Sequence, residues 1–148
     1  GIVVCGLGRD GLGYVMRDVS GKYSPNEWAL RAVGLYHEFK ADRIVAETNN
    51  GGDMVISTIK TADPDVATKK LPASRGKAAR AEPVAALYEQ GRVRHVSGLE
   101  SLEDQLVEWE PLSGMGSPDR LDAMVWGVTE LMLGNKAPAP LFGIYGNG

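Results

Sequence analysis

The chain has 148 residues, a formal net charge of −3, 43% hydrophobic and 24% charged residues. This suits one soluble domain with a single core and excludes a disordered segment; it also excludes a broadly basic nucleic-acid coat, though not a local basic track. The one cysteine, Cys5, rules out a disulfide framework within the chain and fits a small buried residue in a reducing cytoplasm.

The first elements are two apolar-rich runs, 2–7 and 12–18, separated by Gly8-Arg9-Asp10-Gly11, and Asp-Gly between such runs predicts a hairpin. The sequence starts without Met or a basic leader, at the edge of a strand, which is the pattern expected of a piece of a longer polypeptide. Ser24-Pro25-Asn26-Glu27 is a capping box with proline at the first helical position, and the helix it opens carries Trp28, Ala32, Val33, Tyr36 and Phe39 on one face and ends near Lys40. A third strand covers 43–47, with Ile44, Val45 and Ala46 apolar. Asn49-Asn50-Gly51-Gly52 is a turn, and a helix over 53–61 ends at Asp63-Pro64.

A strand over 67–71 leads to the basic segment Ser74-Arg75-Gly76-Lys77-Ala78-Ala79-Arg80. The helix bearing Val84, Leu87 and Tyr88 ends at Gly91, with Pro83 marking its start or a kink. A short strand over 93–96 and a helix over 99–109 follow, then a Gly/Pro/Ser-rich loop over 110–117. Ser117 and Pro118 then suit the cap and first position of an amphipathic helix whose apolar face is Leu121, Met124, Val125, Val128, Leu131 and Met132. From Gly134 the sequence is rich in Gly and Pro and reads as a flexible tail, leaving 1–133 as the domain. A hairpin feeding alternating strands and helices implies an α/β fold with a mixed sheet and helices on its faces. No apolar run approaches the roughly 20 residues that span a bilayer, so no membrane partner is expected.

Gly6-Leu7-Gly8-Arg9-Asp10-Gly11 has the spacing of a dinucleotide fingerprint, but a strand follows it where a helix is required, so these are turn glycines. Gly21-Lys22 lacks the upstream glycine of a phosphate loop. His37 and His95 have no partner at zinc-ligand spacing. The informative residues are acidic. Asp119 and Asp122 stand three apart at a helix start, where they can aim at one point or simply offset the helix dipole. Glu47 ends a buried strand beside a Gly-rich turn, where open α/β sheets place ligand groups, although a strand-end Glu also simply meets water. Asn49 suits turn chemistry as well as orienting Glu47 or touching phosphate. Asp18 can join the acidic set or serve a strand end. Arg75, Lys77 and Arg80 oppose the helix dipole, so capping does not explain them; they are a solvated face or phosphate contacts. Oxygen ligands without His or Cys suit Mg²⁺ or Mn²⁺, and two such ions about 4 Å apart serve phosphodiester cleavage.

Four segments in order resemble the nuclease domain of phage terminase large subunits, in the ribonuclease H-like superfamily. They are Asp18-Val19-Ser20-Gly21-Lys22-Tyr23-Ser24-Pro25-Asn26-Glu27-Trp28, Ala41-Asp42-Arg43-Ile44-Val45-Ala46-Glu47-Thr48-Asn49-Asn50-Gly51-Gly52-Asp53-Met54, Ser74-Arg75-Gly76-Lys77-Ala78-Ala79-Arg80-Ala81-Glu82-Pro83 and Ser117-Pro118-Asp119-Arg120-Leu121-Asp122-Ala123. The resemblance implies a ribonuclease H-like sheet and a metal-dependent endonuclease that cuts concatemeric double-stranded viral DNA with two Mg²⁺ or Mn²⁺ ions. Glu47 and Asp119, with Asp122 beside it, would be the catalytic and metal-binding acids, while Arg75, Lys77, Arg80 and Asn49 would contact DNA. It also implies an ATPase domain, a small terminase subunit and a portal as partners of the intact protein, working in the host cytoplasm. No residues match the fold's first, central strand or its metal-binding Asp. The sequence therefore predicts a gap or an adjusted pairing between the strand at 2–7 and the strand ending in Glu47, and weak or no cleavage by this chain alone. A Holliday-junction resolvase-like nuclease and a non-catalytic DNA-binding packaging module are the alternatives.

Overall fold

A computed structural model describes residues 1–47, 52–72, 76–110, 118–134 and 142–146, the last stretch by its backbone. The hairpin is β1 (Ile2–Leu7) and β2 (Gly13–Asp18). Its turn is closed by hydrogen bonds from Gly8 N to Leu12 O at 2.8 Å and from Gly11 N to Gly8 O at 3.0 Å, with Gly11 at φ 80° where a side chain would be strained. The glycines serve the turn, in keeping with the absence of a helix after them.

Helix α1 (Pro25–Glu38) starts at the expected capping box: the Ser24 hydroxyl accepts from Glu27 N, and the Glu27 carboxylate accepts from Ser24 N. Strand β3 (Arg43–Glu47), helix α2 (Gly52–Ala62), strand β4 (Thr68–Leu71) and helix α3 (Lys77–Glu89) follow. Pro83 lies inside α3 in the structure, so the helix begins earlier and takes in Lys77 and Arg80. Strand β5 (Val93–His95) and helix α4 (Glu100–Glu108) precede helix α5 (Asp119–Val128), which runs on into a π-helical turn, Thr129–Leu133. Pro118 occupies the cap of α5 rather than its first position, and the expected cap Ser117 lies outside the described residues.

One further strand, β6 (Phe142–Gly146), completes a six-stranded sheet in the order β4-β3-β6-β1-β2-β5. It lies within the segment whose composition suggested a tail, and it stands where the sequence predicted a gap or an adjusted pairing. β6 runs antiparallel to β1, with Val4 opposite Ile144, and parallel to β3, with Ile44 opposite Ile144. The physical reason is simple: β1 and β3 each present backbone groups to the space between them, and buried groups of that kind must be paired.

Both sheet faces are covered, so the central strands read as unbroken apolar runs rather than alternating ones. Alternation shows in three dimensions instead. Val3, Cys5 and Val45 face one core with Leu121, Met124 and Val128 of α5, joined by residues of α3 and α4. Ile2, Val4 and Ile44 face the other, with Ala32 and Leu35 of α1 and Ile59 of α2. Cys5 is fully buried, and burial pushes its thiol well above the usual range.

Candidate functional site

The strand directions bring several chain segments to one end of the sheet. Ala46 and Ile2 are both opposite Gly146, so the end of β3, the end of β6 and the start of β1 are level. Val3 is opposite Asp18, which adds the end of β2. The first turn of α5 crosses above this end: a side-chain carbon on Gly1 would run into the Asp119 carbonyl, so only glycine admits the helix so close. Glu47 and Gly1 are two strand spacings apart, about 10 Å.

The acids gathered here fall into two kinds. Asp122, 1% exposed, is engaged by Arg80 of α3 (Nη2 to Oδ1, 3.1 Å) and by Lys77 (Nζ to Oδ2, 3.6 Å). The Arg80 guanidinium also stacks 4.5 Å above the Trp126 ring, one turn further along α5. Asp122 is not among the residues of the apolar face of α5, yet packing against α3 buries it. Asp18, with a side chain 4% exposed, accepts from Arg120 Nη1 at 3.1 Å and from Ser20 N at 2.9 Å. Glu47 and Asp119 differ: among the described residues neither side chain makes an ion pair or hydrogen bond. Glu47 is half-buried and Asp119 exposed.

Burial lowers the pKa of the Gly1 ammonium, while Asp119 foremost, then Asp18 and Asp122, raise it. Burial is the largest of these influences, and the pKa of this ammonium is lowered overall.

Of the basic residues singled out in the sequence, Lys77 and Arg80 are brought to this end, through Asp122, and Lys77 is 40% exposed. Arg75 and Asn49 lie outside the described residues. Neither histidine joins the acids. His37 pairs with Asp63 at 2.8 Å, and His95 sits between the Tyr88 hydroxyl (2.6 Å) and Glu103 (3.1 Å). Sequence reasoning missed Arg120 and Ser20. The Asp18-x-Ser20 spacing is an Asx-turn signature and marks the turn, but nothing local shows that Arg120 reaches across to it.

Among the described residues no group of three or more His, Cys, Asp or Glu side chains gathers closely enough to hold a metal unaided. The donor chemistry still suits a hard divalent ion. Mg²⁺ is commonly held by one or two carboxylates with waters and substrate phosphates, and Glu47 and Asp119 are carboxylates at this end of the sheet.

A mixed sheet of this order, helices on both faces and acids at one sheet end together define a ribonuclease H-like domain. The family model for the terminase RNaseH-like domain matches residues 1–131, and the chain belongs to that family. No curated protein and no solved structure matches the chain. Membership supports a nuclease domain of a terminase and implies a DNA substrate and packaging partners in general. Among the described residues no helix is long and apolar enough to cross a membrane.

Proposed function

We propose that the chain is the metal-dependent endonuclease domain of a viral DNA-packaging terminase, hydrolysing phosphodiester bonds of concatemeric double-stranded DNA. One observation carries the reading: Glu47 and Asp119 share a sheet end without side-chain partners among the described residues, while the neighbouring Asp18 and Asp122 are charge-balanced by arginines. Carboxylates that no side chain engages are available to a divalent cation, which takes oxygen ligands of this kind.

In this reading Glu47 and Asp119 would hold Mg²⁺ or Mn²⁺, and Asp122 is the third acid of a set for two ions. When bound, two such ions activate a water and stabilise the leaving oxygen of a phosphodiester. Arg80 holds Asp122 in place. Lys77, exposed at the rim, contacts backbone phosphate as a point charge, and Arg75 and Asn49 extend that contact. The ATPase domain, the small terminase subunit and the portal are proposed partners, and the host cytoplasm the proposed setting.

The experiment titrates the 148-residue chain and its Glu47→Gln and Asp119→Asn variants with Mn²⁺, then assays each on supercoiled plasmid. Mn²⁺ affinity is expected to fall at least about tenfold in both variants, and any nicking by wild type to vanish, with plasmid binding retained. Affinity and nicking indifferent to both substitutions would leave the non-catalytic DNA-binding module. Strong preference for four-way junctions over linear duplex would favour the resolvase.

A further inference from the structure

We infer that Arg120 is a positioning residue for Asp119, fixing the first turn of α5 to the end of β2 so that the adjacent carboxylate is aimed at the cation site. The inference rests on the reading of Glu47 and Asp119 as cation ligands and deepens it.

The cap residue of α5 supplies no side-chain bond, and one first-turn amide, Leu121 N, donates to Gln105 Oε1 of α4 at 3.3 Å. Pro118 stands at the cap position with no side chain able to bond the first-turn amides, and the backbone bond Asp122 N to Pro118 O, 2.9 Å, is internal to the turn. What ties this turn to the sheet is the arginine that follows Asp119. Its Nη1 donates to Asp18 Oδ2 at 3.1 Å and to the Ser20 carbonyl at 3.3 Å.

Both acceptors belong to a rigid corner. Asp18 Oδ1 accepts from Ser20 N at 2.9 Å, and the Ser20 hydroxyl accepts from Ile2 N at 2.9 Å, so the corner is fastened to the beginning of β1. The Asp18 side chain is 4% exposed and Arg120 28% exposed, so the pair is shielded from competing water. A planar guanidinium that reaches two oxygens of one corner fixes direction as well as distance. Asp119 is the neighbouring residue on the same turn, exposed and without a side-chain partner among the described residues. Its direction is therefore set by the turn that Arg120 holds.

Positioning and plain electrostatics predict opposite signs, which makes the inference testable. Arg120→Met removes a positive charge beside the acids; through charge alone, that tightens binding of a divalent cation. If Arg120 positions Asp119, the same substitution weakens it, because the turn that carries the ligand is no longer held; loss of orienting contacts around a metal site costs about 10–100-fold in affinity.

The full chain is titrated with Mn²⁺ alone, followed by electron paramagnetic resonance of the free ion, alongside thermal unfolding. The expected result is an affinity at least about tenfold weaker in Arg120→Met, largely restored in Arg120→Lys, with unfolding still cooperative. Mn²⁺ binding as tight as wild type or tighter in Arg120→Met overturns the inference. If that variant does not fold, Arg120→Gln gives the same test of sign. Mn²⁺ binding that requires Glu47 and Asp119 but ignores Arg120 removes this inference alone. Binding that ignores Glu47 and Asp119 removes the site itself.

Discussion

Arg80→Ala tests whether the buried contact between α3 and α5 organises this end of the domain. Asp122 is 1% exposed and Arg80 Nη2 lies 3.1 Å from it, in a side chain itself 9% exposed. Removing one partner of such a pair leaves a buried charge uncompensated, at a cost of about 3–5 kcal/mol. Lys77, 3.6 Å away on a side chain 40% exposed, retains part of the compensation; allowing for it, about 2–3 kcal/mol remains. Loss of the guanidinium over Trp126 adds roughly 0.5–1 kcal/mol, for a total near 3 kcal/mol. In a domain of this size that lowers Tm by roughly 6–12 °C. Urea unfolding at neutral pH should show the midpoint falling with the slope unchanged, the mark of lost stability rather than altered compactness. The pair Arg80→Met with Asp122→Leu removes both charges and should recover most of the loss. A cost below about 0.5 kcal/mol for Arg80→Ala, the level of an ordinary surface change, or strict additivity in the double variant, refutes the argument.

Two further outcomes follow from the titrating groups. The Tyr14 hydroxyl and, less strongly, Leu12 N hydrogen-bond the Asp10 carboxylate and hold its pKa below the usual range. A folded-state pKa lowered in this way means that the turn's stabilisation is present above the unfolded value of about 3.9; it is lost as pH falls through the lower folded value. In Tyr14→Phe, carboxyl ¹³C titration should show Asp10 moving up towards the ordinary value, and no movement would contradict the assignment. Burial pushes the Cys5 thiol up, so an aromatic disulfide reagent should label Cys5 only as fast as the native chain opens. Fast labelling under native conditions would place Cys5 outside the core.

The sequence by itself determined most of the local structure. Ser24-Pro25-Asn26-Glu27 satisfies the first amides of α1 whatever lies elsewhere, and the turn at Gly8 to Gly11 needs only its own residues. The apolar runs of β1 and β3 announce strands buried on both faces, and they end at residues whose place in the sheet follows from direction alone. Glu47, Asp119 and Asp122 could be singled out as candidate acids because a strand end and a helix start are local facts, while grouping them in one site rested on the resemblance to terminase nuclease domains. What each carboxylate touches is not local. Only the packing of α3 on α5 turns Arg80 and Lys77 to Asp122, and only the hairpin's register brings Asp18 and Ser20 within reach of Arg120. The central place of β6 likewise depends on backbone groups of β1 and β3, distant in sequence, that must find partners together. Charge balance among buried acids is set by neighbours from other elements. The tertiary structure therefore decided which acids are matched by arginines, and it left Glu47 and Asp119 as the pair without side-chain partners among the described residues.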